Sequence, residues 1–268
     1  MNIIIHRGTH QIGGSAIEIS TASTRIILDF GNELSLDEKY TPINLDIDGV
    51  TKGLPDCDGI VISHYHMDHL GQLTSALPEI PLYMGELSKE VAMIATEHQD
   101  KDLYLRLLDA NTFRGGEAFT IGNIHIRPLV IDHSAVDSYM FVIEAEGKRV
   151  LYTGDFRMHG VRGHVLEKLI RTYIGEVDVL ITDGTSLSRN AHDGISEREV
   201  LDDISSYIQD GKYVFVMCSS TNIDRIMGIW HNMPTDKVLI CDAYQKRILD
   251  TVIDNVYYDS SLYRRPDS

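Results

Sequence analysis

Four side chains of the kinds that bind metal ions, His64, His66, Asp68 and His69, fall within six residues. They stand directly after the apolar run Gly59-Ile60-Val61-Ile62, which reads as a short buried strand. No other feature constrains the chain as strongly. Side chains alternate along an extended segment, so His64 and His66 project the same way. The turn into a following helix then brings Asp68 and His69 alongside. An ordinary core segment does not carry four such groups; the plain alternative is a solvated polar loop. Imidazole together with carboxylate suits a borderline cation such as zinc, and manganese and iron fit the same donors.

One cluster does not complete a site, so further ligands are expected at the ends of other strands. Two segments qualify. Asp132-His133-Ser134 follows the apolar residues 128–131, and Thr153-Gly154-Asp155-Phe156 follows residues 149–152. Taken singly, a His or Asp at a strand end is usually a cap or a surface group. Their order after the histidine cluster argues for the site instead.

The surrounding pattern is layered α/β. Residues 2–5, 15–19 and 25–30 read as a meander of strands, and 58–63 as the buried strand before the cluster. A helix is expected over 70–77, and 87–112 reads as largely helical. Residues 123–128, 138–145 and 149–153 return to strand, with Glu146-Gly147 as a hairpin turn. A helix over 164–173 and a buried strand over 177–182 follow. The composition changes at Asn190-Ala191-His192-Asp193-Gly194, where we expect a boundary between a domain of residues 1–192 and a lobe of residues 193–268. In that lobe Ser196 and Glu199 form a capping box for a helix to about residue 209. Strands over 212–218 and 237–241 then alternate with helices over 222–230 and 245–255.

His-x-His-x-Asp-His, a later single His and a Gly-Asp at a strand end together resemble the metallo-β-lactamase superfamily. The resemblance covers residues 1 to about 190 and implies a four-layer αβ/βα sandwich with two metals at one edge. It implies that His64, His66 and His133 hold one metal, that Asp68 and His69 belong to the second, and that Asp155 bridges both. Asp29, in Ile27-Leu28-Asp29-Phe30-Gly31, matches an aspartate that supports the ligands from beneath. Two such ions lower the pKa of a bridging water toward neutrality. Asp68 is then placed to orient the resulting hydroxide, so Asp68 and Asp155 carry the catalytic roles.

Residues 197–250 are similar to the start of the β-CASP region, which marks the nucleic-acid-processing, ribonuclease J-like branch. The likeness rests on Val214-Phe215-Val216-Met217-Cys218-Ser219-Ser220, on Asn222-Ile223-Asp224-Arg225-Ile226 and on Leu239-Ile240-Cys241-Asp242-Ala243-Tyr244. It implies phosphodiester hydrolysis of single-stranded RNA, or of DNA. Asp183 would support the metal-binding histidines, and Ser219, Ser220, Asn222 and Arg225 would line the phosphate path. Arg157 and His159, just beyond Asp155, join the substrate candidates by position. In that branch the chain returns to the first domain and a further histidine completes the second metal site. Here the sequence ends at Tyr263-Arg264-Arg265-Pro266-Asp267-Ser268, so the expectation is a shortened form whose second site lacks its last ligand.

Composition narrows the remaining classes. No apolar run approaches the ~20 residues that span a bilayer, and the N-terminus lacks a signal-peptide pattern, so a cytoplasmic protein is expected. Cys57, Cys218 and Cys241 are odd in number and far apart, as reduced thiols are. A net charge of −16 counts against a broad basic face for nucleic acid, although bound cations and a local groove reverse such a potential. Two other readings stay open: a small-molecule ester, thioester or lactone hydrolase, and a catalytically impaired scaffold. Self-association into a homo-oligomer is compatible with all three.

Overall fold

The computed structural model describes residues 1–34, 43–187 and 194–255. The meander forms as the alternating apolar pattern requires. β1 (Asn2–Arg7), β2 (Ala16–Ser20) and β3 (Arg25–Leu28) pair antiparallel. β4 (Gly59–Val61), β5 (Leu82–Gly85) and β6 (Asn111–Phe113) extend the sheet in parallel, in the order β1-β2-β3-β4-β5-β6. A second sheet, ordered β11-β10-β9-β8-β7, contains β7 (Phe119–Ile121), β8 (Ile124–Ile131), β9 (Ser138–Ala145), β10 (Lys148–Tyr152) and β11 (Val179–Ile181).

Period-two alternation decides which layer each side chain enters. Ile26 and Leu28 of β3 join Ile124, Phe141 and Val150 in a core between the two sheets. Ile27, between them in sequence, faces the opposite way. It packs with Ile60, Ile62 and the apolar stripes of α2 (Glu86–Thr96) and α3 (Lys101–Leu108); α1 (Met67–Leu70) carries Asp68 and His69. The outer face of the second sheet, with Leu129, Met140 and Leu151, is covered by Leu166 of α4 (Leu166–Leu169) and by Ile174. Helix, sheet, sheet and helix thus form the four-layer αβ/βα sandwich.

The hairpin between β9 and β10 turns on Glu146 and Gly147, both at positive φ (51° and 68°). That conformation matches the twist of the flanking strands and accounts for the glycine.

Several boundaries differ from the sequence reading. The helix expected over 70–77 is α1 followed by a 3-10 turn, Leu73–Ser75, because Gly71 and Gln72 separate the two. The helical stretch expected over 87–112 breaks into α2 and α3, and its end becomes β6, drawn into the ladder beside β5. The helix expected over 164–173 is a 3-10 turn, a short α4 and a π-helical turn, Ile170–Ile174. β11 is not buried: among the described residues it is an edge strand paired only with β10, and Leu180 is 57% exposed.

Beyond residue 193 the helices form as expected: α5 (Glu197–Asp210) with its Ser196–Glu199 capping box, α6 (Ile223–His231) and α7 (Ala243–Asp254). The strands expected over 212–218 and 237–241 do not. Both segments lack a ladder partner among the described residues, and Phe215, Met217 and Ile240 stand in solvent. An apolar run becomes a strand only when a neighbour accepts its backbone hydrogen bonds. The linker at the expected domain boundary, residues 190–194, lies outside the described residues except for Gly194. Ile223, Met227, Ile248 and Val252 of α6 and α7 enter the same core as α2 and α3. Among the described residues no helix is long and apolar enough to cross a membrane.

Candidate metal centre

The cluster assembles at one edge of the sandwich, where β3, β4, β8 and β10 all end. β4 delivers Ser63 and His64, β8 delivers Asp132 and His133, and β10 delivers Asp155 two residues beyond Thr153. Backbone contacts fix the α1 turn against β3. Phe30 N–H donates to the His69 carbonyl at 2.7 Å, and Gly14 and Ser15 N–H both reach the Asp68 carbonyl. Gly31 allows that approach: a Cβ there would sit 1.6 Å from the Asp68 carbonyl oxygen.

Five of the six expected ligands converge. His66 Nδ1 lies 3.1 Å from both His64 Nε2 and His133 Nε2, and these three rings form one donor group. His64, His69 and Asp155 form a second, with His69 Nε2 3.3 Å from Asp155 Oδ1. Asp68 stands at the rim, its Oδ2 3.7 Å from His69 Nε2. Three nitrogens of a tetrahedral zinc site are separated by about 3.3 Å, given Zn–N bonds near 2.0–2.1 Å. Two edges of the imidazole triangle, at 3.1 Å, are close to that spacing and the third lies within 4.8 Å, so the donor set fits a divalent cation.

Asp29 organises both donor groups from beneath. It is fully buried, with φ at 55°, a left-handed conformation that aspartate tolerates better than most residues. Its Oδ2 accepts from Ser63 Oγ (2.8 Å) and Tyr152 OH and faces His69 Nδ1 at 2.7 Å; its Oδ1 accepts Ser63 N–H at 2.7 Å. This arrangement dictates tautomers. The single Ser63 hydroxyl proton goes to Asp29, so Ser63 Oγ can only accept from His64 Nδ1, 3.0 Å away. His64 and His69 therefore carry protons on Nδ1, and His64 Nε2 is left as a lone pair facing its neighbours. Burial, the Asp29 charge and its hydrogen bond push the Tyr152 phenol well above its ordinary value, so it remains a donor.

The protonation equilibria divide in the same way. Burial, with repulsion from neighbouring imidazoles, holds His64 well below the usual imidazole range, His66 at about 4 and His133 at about 3. These rings are neutral at pH 7, the form that binds metal. His69 moves oppositely: burial disfavours its charge, but Asp29 and Asp155 outweigh burial and raise it well above the usual range. Burial raises Asp68. In Asp155 burial acts upward too, but the hydrogen bond and charge of His69 hold the carboxyl below its usual range.

The remaining sequence candidates scatter. The Asp183 carboxylate accepts Thr185 N–H at 2.7 Å, which turns its own loop, and touches no histidine among the described residues. Arg225 forms a fork with the buried Glu197 (2.7 and 2.9 Å), and Arg157 binds the fully buried Asp132 at 2.6 Å. Both guanidinium groups pair with protein carboxylates in this structure. His159 is exposed, and its carbonyl accepts Glu197 N–H. Ser219 Oγ lies 3.0 Å from Thr221 Oγ1, and the Ser220 carbonyl accepts from Gln245. Asn222 bridges to Ala135, two residues from His133. The Tyr65 hydroxyl accepts Val136 N–H and donates to the Thr221 carbonyl, both at 2.9 Å, so residues 219–222 lie against the His133 loop.

Sequence reasoning missed Ser63, Tyr65, Tyr152 and Asp132 as parts of this centre. Only their adjacency to ligands or strand ends hinted at them.

The description "Beta-lactamase superfamily domain" matches residues 24–207. Among curated relatives, an RNase J-like protein of Methanocaldococcus jannaschii is 28% identical over 79% of this chain and 49% of its own length. Ribonuclease J of Sinorhizobium meliloti is 25% identical over 73% of this chain and 36% of its own. Endoribonuclease YSH1 of Gibberella zeae is 24% identical over 96% of this chain and 32% of its own. The chain spans half or less of the length of these relatives. A solved protein of unknown function from Enterococcus faecalis V583 shares the fold over 92% of this chain and 66% of its own, with a TM-score of 0.79 at 19% identity. The family match covers more than half of the chain and includes β4, α1, β8 and β10, the elements that carry the donors; the protein belongs to the metallo-β-lactamase superfamily.

Proposed function

We propose that the chain is a metal-dependent phosphodiesterase that cleaves RNA, with zinc at the imidazole triangle and a second cation between His69, Asp68 and Asp155. The observation that carries the reading is the convergence of His64, His66 and His133 beside the His69–Asp155 pair. The ribonuclease names of the relatives support RNA over other substrates. When bound, a pair of divalent cations acidifies a water toward neutral pKa and polarises a phosphoryl oxygen.

The protein's own groups then have separable tasks. His64 and His66 present lone pairs from a neutral, buried strand end, and His133 closes the triangle from β8. His69, steered by Asp29, directs Nε2 toward Asp155. Asp68 Oδ2, at the rim of the cluster, accepts the proton that the attacking water loses. Residues 1–192 form the metal-holding domain in this reading, and residues 193–268 begin a lobe whose loop 219–222 borders the substrate path through Ser219, Ser220 and Asn222. Free Cys57, Cys218 and Cys241 suit a reducing cytoplasm.

A small-molecule hydrolase is the second reading, favoured by the net charge of −16. Metal content and turnover separate the two. The chain and His66→Ala are assayed with bis-p-nitrophenyl phosphate, a labelled single-stranded RNA and a thioester. Near two metals per chain, with RNA cleavage abolished in the variant, supports the nuclease. Thioester turnover without RNA cleavage supports the second reading, and no metal with no turnover overturns both.

A further inference from the structure

A centre whose ligands all come from residues 64–155 has no obvious need of α5 and α6. Yet three arginines and three buried carboxylates join them to it. Asp132 and Asp224 are fully buried and Glu197 is 2% exposed. Arg157 reaches all three: Asp132 through Nε at 2.6 Å, Glu197 and Asp224 through its terminal nitrogens at 3.5 Å. Arg162 sets Nη1 3.0 Å from both Asp224 oxygens, while its backbone N–H donates to the Asp132 carboxylate. Arg225 completes the group on Glu197. Three positive and three negative side chains balance.

The position of this network matters more than its size. Asp132 immediately precedes His133, and Arg157 follows Asp155 by two residues. β8 and β10 are not neighbours, because β9 lies between them. No ladder bond therefore fixes the two strand ends relative to each other. Arg157 does so directly: its side chain grips the Asp132 carboxylate, and its N–H donates to the Asp132 carbonyl at 2.9 Å. The far ends of the guanidinium face the charges of Glu197 of α5 and Asp224 of α6 at 3.5 Å, ion pairs without a hydrogen bond at Nη2 among the described residues. A single rigid cation thus spans both strand ends and both helices, a task suited to the planar fork of arginine.

We infer that Arg157 is a positioning residue of the metal centre: it sets the His133 ring through Asp132, and α5 and α6 hold it there through Glu197 and Asp224. This rests on the metal-centre reading above and adds that the lobe after residue 193 tunes the first cation site. A residue gripping the neighbour of a ligand acts as outer-shell partners do, whose loss costs ~10–100-fold in metal affinity.

The test uses the full chain, stripped with chelator and titrated with cobalt(II), whose visible absorption reports ligand geometry. Glu197→Gln keeps the shape of the side chain, lies outside the ligand set and removes one of the three charges around Arg157, the one that α5 supplies and Arg225 shares. It is expected to weaken the first cobalt equivalent ~10–100-fold and to alter its absorption bands, with the far-ultraviolet circular dichroism unchanged. If Glu197→Gln gives no cooperative melt, Arg157→Lys, which preserves the charge balance but not the fork, is read the same way. A merely structural network would lower the melting temperature and leave the cobalt spectrum of the folded protein as in the parent. A folded variant with affinity within about twofold and an unchanged spectrum overturns the coupling alone. A parent chain that binds no cobalt overturns the metal-centre reading and this inference with it.

Discussion

Asp29 Oδ2 and His69 Nδ1 stand 2.7 Å apart in a fully buried setting, and the same oxygen receives the hydroxyls of Ser63 and Tyr152. One carboxylate thereby orients His69 directly and His64 through Ser63, the two imidazoles that share the second donor group with Asp155.

Asp29→Asn tests that role without disturbing the backbone, because asparagine also tolerates positive φ. The amide cannot accept all of these hydrogen bonds, so one tautomer is released. Calorimetric zinc titration is expected to show affinity lowered ~10–100-fold, with greater loss at the His69–Asp155 site. Equal affinity at both sites to that of the parent would remove Asp29 from the centre.

The metal-free protein should be least stable away from neutrality, for opposite reasons on the two sides. His66 and His133 have folded pKa values of about 4 and about 3, below the unfolded value near 6.5. The unfolded chain therefore binds more protons as the pH falls, and stability drops between about pH 6.5 and 4 by up to ~1.4 kcal/mol per pH unit for each ring. His69 is raised, so its contribution is complete below about pH 6.5 and is lost as the pH climbs through its folded pKa. Urea titrations in chelator across pH 4–9 check both limbs; His69→Gln should flatten the alkaline limb and, by removing its repulsion of His66 and His133, make the acid limb shallower.

Metal uptake should release protons from the same group. His69 is charged in the metal-free protein and must become neutral to serve as a ligand. Zinc titration in two buffers of different ionisation enthalpy is expected to show a proton released with the second ion and less with the first.

Asp224→Ala leaves Arg162 and part of Arg157 without their buried counter-charge. Removing one partner of a buried pair costs ~3–5 kcal/mol. Denaturant midpoints should show a loss of that order, whereas Lys246→Ala, which breaks an exposed, solvent-screened α7 pair with Asp250, should leave the midpoint nearly unchanged.

Gly31→Ala places a methyl group where the Asp68 carbonyl passes, so β3 and α1 must separate. A loss of ~1–3 kcal/mol or more is expected, together with weakened zinc binding. Gly194→Ala, with nothing among the described residues within 4 Å of its added carbon and no positive φ, is the neutral control.

The sequence alone determined the layers and pointed to most of the candidate donor set. Alternation sorted Ile26, Ile27 and Leu28 between two cores, and the His-x-His-x-Asp-His spacing marked the centre, because both are local regularities of a chain read a few residues at a time. The loop ends that complete the centre were legible only as polar residues after strands. Tertiary structure decided the rest, because these groups are far apart in sequence. It assigned Asp29 its four hydrogen-bond donors from residues 63, 69 and 152, and it set Arg157 and Arg225 beside buried carboxylates. It also left residues 212–218 and 237–241 without strands, since β structure depends on a neighbour that no local pattern supplies.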